Sequence, residues 1–236
     1  MRNGLERLLR YTVLTGFLMP NSAHTITEIA KELAKHPFVT YLDDVQLSDG
    51  LLAGAIKNAA VIACSDMGLL VPYVCSSAKV QLFLFQNGGH KFSSGGFVET
   101  VVGSGVEHIV VYGHSVCNYT KHMAKSVVDT PAKKGLEFSE RSQLELYSVA
   151  LDCDSASLWE HVGQFNVLFE LSKMLADPSI LQLATERNLE LHAWFYKSDS
   201  EQFEVFDPER GAFVVPDINL SNSSVISLVT AEGHYR

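Results

Sequence analysis

The sequence predicts an α/β fold with a central, mostly parallel sheet of four to five strands flanked by helices. Short apolar, β-branched runs recur along the chain, and such runs are typical of strands that are buried on both faces of a parallel sheet. Helical patterns lie between several of these runs. The chain has 236 residues, of which 47% are hydrophobic and 19% charged, so it can build one full-sized α/β core.

Two helices are predicted before the sheet begins. The first covers residues 3–18, and the second covers residues 25–36. Apolar residues recur at helical spacing on one face of each. Thr25 and Glu28 form a capping box at the start of the second helix, and Pro37 ends it.

These two helices also define the predicted domain organisation. Residues 1–36 form an N-terminal helical arm. Residues 37–236 form a single α/β domain, in which the stretch before residue 59 has no clear pattern.

The predicted domain is built from strands and helices that follow one another along the chain. Strands are predicted at residues 59–64, 80–85, 107–112 and 189–196, with an edge strand at 203–206. Helices are predicted at residues 97–104, 139–151, 157–176 and 180–187, and another begins at Cys117. The chain from residue 207 onward shows little organisation, although residues 225–229 could add a strand.

Metal-binding side chains follow two of the predicted strands directly. Cys64 and Asp66 follow the first apolar run, and His114 and Cys117 follow the third. Because the carboxyl ends of parallel strands meet at one edge of a sheet, we expect these side chains to lie close together. Two thiols, an imidazole and a carboxylate are a zinc ligand set. The alternative is that both cysteines are small buried hydrophobes and His114 an ordinary hydrogen-bonded histidine.

The same residues resemble the motifs of the β-carbonic anhydrases. That family carries Cys-x-Asp-x-Arg after its first strand and His-x-x-Cys-Gly after its third. This chain has Cys64-Ser65-Asp66-Met67-Gly68 and His114-Ser115-Val116-Cys117-Asn118. Further similar segments are residues 85–89, 105–111, 166–167 and 191–196. The resemblance spans about residues 50–206.

The resemblance implies a zinc enzyme that hydrates CO2 reversibly to bicarbonate by means of zinc-bound hydroxide, with Cys64, His114 and Cys117 as ligands. In the family, the motif arginine forms a salt bridge with the aspartate, which keeps the aspartate off the metal and lets it orient the hydroxide. The resemblance also implies a homodimer or dimer of dimers, in which N-terminal helices reach onto a second subunit. Packing of these helices on their own domain is the alternative.

Three positions depart from the family's pattern. The arginine is replaced by Gly68, the glycine after the second cysteine by Asn118, and a glutamine before the first cysteine by Ala55. Without the arginine, Asp66 is a candidate fourth zinc ligand that would close the site. Two functions therefore stay open: a carbonic anhydrase, or a catalytically impaired or inactive zinc-binding relative with a structural, binding or regulatory role.

Other side chains could hold Asp66 away from the metal instead. Candidate cations are Lys57, His90 and Lys121, and candidate hydrogen-bond donors are Ser65, Asn118 and Tyr119. His90 could also ligate the metal directly. The sequence does not decide between these arrangements.

Charge and cysteine content exclude several classes of function. The net charge is −9 with a pI of about 5.4 and no basic stretch, so nucleic acids and anionic membranes are not expected partners. No apolar run is long enough to span a membrane.

Four cysteines in a chain of this size do not make a disulfide framework. Thiolate ligands favour a reducing, cytoplasmic location. Cys75 and Cys153 are expected to be buried free thiols. Arginines before the apolar residues 11–19 leave an export or organellar signal as the alternative.

Overall fold

A six-stranded sheet forms the centre of the computed structural model, which describes residues 26–40, 58–67, 82–122 and 155–216. The strands are β1 (Ala59–Cys64), β2 (Leu82–Asn87), β3 (His108–His114), β4 (Glu190–Lys197), β5 (Gln202–Asp207) and β6 (Ala212–Val214). Across the sheet they lie in the order β2-β1-β3-β4-β5-β6. The first four strands pair in parallel, and β5 and β6 are added antiparallel at one edge. The predicted mostly parallel α/β sheet is therefore confirmed.

The apolar runs become the central strands because both faces of the sheet are covered. All six residues of β1 are buried, as are six of the seven residues of β3. Along β1, Ala60 and Ile62 belong to one apolar cluster and Val61 and Ala63 to another. The sheet therefore has a core on each face, which explains why these strands are continuously apolar rather than alternating.

Four described helices pack against one of these faces. They are α1 (Ile26–Leu33), α2 (Ser94–Ser104), α3 (Ser155–Ala176) and α4 (Pro178–Arg187). All four contribute buried side chains to the same cluster. A further helical segment covers residues 118–122, at the end of a described range. Among the described residues, no helix is long and apolar enough to cross a membrane.

Local signals fix the ends of two helices. The Asp177 side chain accepts hydrogen bonds from the backbone N–H groups of Ser179 and Ile180, at 2.9 and 3.3 Å, and Pro178 opens α4. Gly105 ends α2 in a left-handed conformation with φ of 68°, which is typical of a glycine C-cap.

The apolar stripe of α1 packs on its own chain. Ile29, Ala30 and Leu33 are buried in the cluster that α3 also lines. Beyond the helix, the backbone N–H of Leu191 donates to the carbonyl of Phe38 at 2.7 Å, which ties this segment to β4. Of the two alternatives for the N-terminal helices, the structure shows intrachain packing for α1. The division into an arm at residues 1–36 and a domain at 37–236 stays a prediction.

The structure departs from prediction at the edge of the sheet. There are six strands rather than four to five, and the expectation of little organisation after residue 207 is wrong as far as residue 216. The Asp207 carboxylate accepts the backbone N–H groups of Glu209 and Arg210, at 2.8 and 3.1 Å, and this turn returns the chain as β6. Predicted elements that lie outside the described residues are the helices at 3–18 and 139–151 and the strand at 225–229.

Candidate metal centre

The register of β1 and β3 brings the predicted ligands to one edge of the sheet. The two strands are parallel neighbours, so Cys64, at the end of β1, lies near His114, at the end of β3. Cys117 follows three residues later, and Asp66 lies in a short 3-10 turn after β1. The candidate ligand atoms of these four residues all lie within 4.8 Å of one another. The structure thus groups all four side chains that the sequence singles out.

The two cysteines form a close, buried pair of free thiols. Their Sγ atoms are 3.5 Å apart, far longer than a disulfide bond and close to the roughly 3.8 Å expected for two thiolates on one tetrahedral zinc ion. The hydrogen bond from Cys117 lowers the pKa of Cys64 well below its usual range; burial opposes this change, and His114 and His90 add to it. The same bond, together with burial, raises the pKa of Cys117. A metal cation that binds both sulfur atoms would displace the proton between them, and this proton would be released to solvent.

His114 supplies an unused nitrogen beside these thiols. Its side chain is buried, and its Nε2 atom has no hydrogen-bond partner within the described part of the chain. Buried polar atoms almost always have a partner, so such an orphan points to a missing ligand. Two thiols and an imidazole favour zinc over magnesium, calcium or manganese. The residues present therefore fit a zinc ion.

Asp66 is held by the helical segment that follows Cys117. Its carboxylate is exposed, and its Oδ2 atom accepts the backbone N–H of Asn118 at 2.7 Å. Asn118 is one of the three donors that the sequence offers for holding this carboxylate, and it acts through its backbone rather than its side chain. Because a carboxylate has two oxygens, this bond does not by itself prevent coordination of a metal. Ala55, Lys57 and Gly68 lie outside the described residues.

A buried contact between His90 and Asn166 connects to the candidate ligand Cys64 through Gly89. The sequence pattern does not predict this contact. His90 is completely buried, and its Nε2 atom lies 2.8 Å from Nδ2 of Asn166, on α3. Asn166 also lies 2.9 Å from the carbonyl oxygen of Gly89, whose backbone N–H donates to Cys64 Sγ at 3.5 Å. The ring fits because Gly113 has no side chain: a Cβ there would lie 3.1 Å from His90. This loop histidine is therefore buried rather than exposed to solvent.

Comparison with known proteins agrees with this fold. A family model described as carbonic anhydrase matches residues 59–203, more than half of the chain. The grouping of Cys64, His114 and Cys117 is also what the resemblance to the β class implies. The chain therefore belongs to the β-carbonic anhydrase family.

Individual relatives are distant. The chain is 24% identical to a carbonic anhydrase of Pseudomonas aeruginosa over 180 residues, which is 72% of this chain and 82% of that protein. Among solved structures, the β-carbonic anhydrase CcaA superposes with a TM-score of 0.54 at 24% identity, covering 74% of this chain and 82% of that one. The β-carbonic anhydrase CafD of Aspergillus fumigatus gives a TM-score of 0.50 at 15% identity, covering 70% and 95%. At these identities the superpositions establish the fold alone.

Proposed function

We propose that this protein is a zinc-dependent carbonic anhydrase that interconverts CO2 and bicarbonate, with Cys64, His114 and Cys117 as its zinc ligands. The observation that carries the proposal is the ligand group itself. Two free thiols and an unpartnered imidazole nitrogen meet within 4.8 Å at the carboxyl edge of the sheet. We propose this reaction because the chain belongs to the family, and we propose zinc because the donor atoms are two thiols and an imidazole.

The chain's own groups would serve this reaction in distinct ways. Zinc, when bound, supplies the Lewis acidity that lowers the pKa of a water molecule to about 7. The two thiolates would offset the charge of the ion, and His114 would add a neutral nitrogen. Asp66, held by the Asn118 backbone N–H, presents an acceptor oxygen that can orient a reacting water through a hydrogen bond. His90 and Asn166 hold the loop whose Gly89 N–H donates to Cys64.

A second candidate is a zinc-binding relative with little or no activity and a structural, binding or regulatory role. Two observations favour it. Asp66 lies within the ligand group, so its second oxygen can occupy the position that a reacting water needs. The family's arginine, which would hold Asp66 aside, is Gly68 in this sequence.

Stopped-flow CO2 hydration by zinc-loaded protein decides between the two candidates. We expect hydration above the uncatalysed rate, lost in Cys117→Ser, which removes a ligand. Val116→Ala is the matched control, because this side chain lies in the same loop and is 45% exposed. Catalysis retained by Cys117→Ser, or protein that binds zinc but stays inactive from neutral to alkaline pH, would contradict the enzymatic proposal; the second outcome supports the second candidate.

Metal binding is tested separately from activity. We expect the protein to bind Co2+ with the sulfur-to-metal charge-transfer absorption of thiolate ligation, and we expect Cys64→Ser to lose most of it. Wild-type protein that binds Co2+ without this absorption would exclude the thiolate site. A cytoplasmic location and a homodimer or dimer of dimers complete the proposal; both are expectations from the cysteine content and the family.

A further inference from the structure

A second group of metal-binding side chains lies at the opposite end of the parallel strands. His108 opens β3 and Glu190 opens β4, and the two residues are direct partners in the sheet. His192 lies two residues after Glu190 and therefore on the same face. His114 lies six positions after His108 along β3, so this group lies about 20 Å from the thiol site. It plays no part in the proposed CO2 chemistry.

Three candidate ligand atoms of this group form an isosceles triangle. His108 Nδ1 lies 3.1 Å from His192 Nε2, and each nitrogen lies 3.8 Å from Glu190 Oε2. A point equidistant from atoms at these separations lies about 2.1 Å from each, which is the length of a zinc–imidazole or zinc–carboxylate bond. A divalent ion therefore fits with little movement of the side chains.

Thr40 orients two of these ligands from outside. Its hydroxyl donates to Glu190 Oε2 at 2.9 Å, and its carbonyl oxygen lies 3.3 Å from His192 Nδ1. If His192 donates Nδ1–H to that carbonyl, its Nε2 atom carries the lone pair that a metal would bind. Histidines that bind metals usually donate their other ring N–H to a carbonyl or carboxylate in this way.

Burial lowers the pKa of both histidines of this group. His192 is completely buried, and burial lowers its pKa to about 3, helped by the neighbouring His108. Burial also lowers the pKa of His108. Without a metal, His108 would donate its Nδ1–H to His192 Nε2. With a metal bound between these two nitrogens, the proton of His108 would lie on its Nε2 atom instead. Binding would therefore release no proton from the two histidines. Glu190 is 43% exposed, which gives an ion a route from solvent.

We propose that His108, His192 and Glu190 form a second metal site that takes a first-row transition ion such as zinc. Two imidazoles and one carboxylate are a known zinc set, with the fourth position left to water. The ion would join the starts of β3 and β4. Because Thr40 contacts both Glu190 and His192, it would also fasten the segment after α1 to the sheet.

Titration of the metal-free, full-length protein with Co2+ tests the site. We expect two equivalents per chain: one with sulfur-to-metal charge-transfer absorption, and one that adds only weak visible bands. Glu190→Gln should weaken the second equivalent by at least about tenfold and leave the first unchanged. Glu107→Gln is the matched control, because it removes an exposed carboxylate next to His108 and should keep both equivalents.

Thermal unfolding gives a second reading. Zinc beyond the first equivalent should raise the midpoint of the wild type and of Glu107→Gln but not of Glu190→Gln or His108→Gln. Circular dichroism checks that each variant folds. Two ligand variants are used so that the test still works when one of them does not fold. A wild type that binds only one equivalent, or ligand variants that bind the second as tightly as the control, would overturn the proposal and leave a hydrogen-bonded histidine pair.

Discussion

At the scale of single residues, the position of Asp66 controls the candidate site. The sequence places a carboxylate two residues after a candidate thiol ligand and a glycine two residues further on. The structure adds the hydrogen bond from the Asn118 backbone N–H, which fixes one carboxylate oxygen at 2.7 Å. The second oxygen then decides the state of the site. If this oxygen coordinates the metal, it fills the position that a water molecule would take. If it does not, it can help to orient a water molecule.

We expect the second oxygen to coordinate zinc at neutral pH, because the family's arginine is absent and the chain holds the carboxylate close. CO2 hydration should then be weak at neutral pH and rise at alkaline pH, where hydroxide competes better with the carboxylate. Gly68→Arg should supply the missing salt bridge and raise the neutral-pH rate by roughly tenfold, equivalent to about 1.4 kcal/mol. Stopped-flow hydration across pH measures both effects.

Gly103→Arg is the control for this change, since position 103 is exposed on α2 and a Cβ there meets nothing within 4 Å. It adds the same charge elsewhere and should leave the profile unchanged. A zinc-bound structure at neutral pH with Asp66 turned away from the metal would contradict the closed site. So would full activity of the unmodified protein at neutral pH.

At the scale of elements, the close packing of β3 against α3 shapes the region behind the site. A Cβ at Gly113, on β3, would lie 2.3 Å from a methyl group of Val167 and 3.1 Å from the His90 ring. Contacts this short require the neighbours to move. The glycine therefore sets the distance between strand and helix and leaves room for His90.

Gly113→Ala should lower the free energy of unfolding by about 1–3 kcal/mol through overpacking. Gly103→Ala is the matched control: it lies in a helix, has open space around it, and should be neutral or stabilising by up to about 1 kcal/mol. Urea unfolding of the two variants and the wild type measures the difference. Equal stability of all three proteins would show that the strand and helix separate easily.

The elements also show what the sequence can and cannot predict. The six buried residues of β1 are recognisable because burial on both faces demands an apolar run, and the ligands follow from the strand ends. β6 has three residues and exists only by pairing with β5, so it leaves no pattern of its own. The Asn118–Asp66 bond and the His108–His192 contact join segments 52 and 84 residues apart. Such contacts depend on register, which local patterns do not contain.

At the scale of the whole molecule, the sheet carries a candidate ligand group at each end. The carboxyl edge gathers thiols, which favour zinc strongly, and the amino edge gathers two histidines and a carboxylate. In the proposed reaction, the net charge of −9 would neither attract nor repel neutral CO2 and would disfavour retention of anionic bicarbonate.

The quaternary structure is the last prediction. The stripe of α1 is already buried in its own chain, so it cannot also serve as a subunit interface. The expectation of a homodimer or dimer of dimers therefore depends on the predicted helix at residues 3–18, whose apolar positions include Leu5 and Leu9.

Light scattering at micromolar concentration should give at least twice the chain mass of 26.0 kDa. Leu9→Glu should shift the protein towards monomer by placing a charge in the interface, whereas Glu6→Gln should not. A wild type that stays at the mass of one chain would contradict the prediction, and an oligomer that Leu9→Glu leaves intact would assign the interface to another surface.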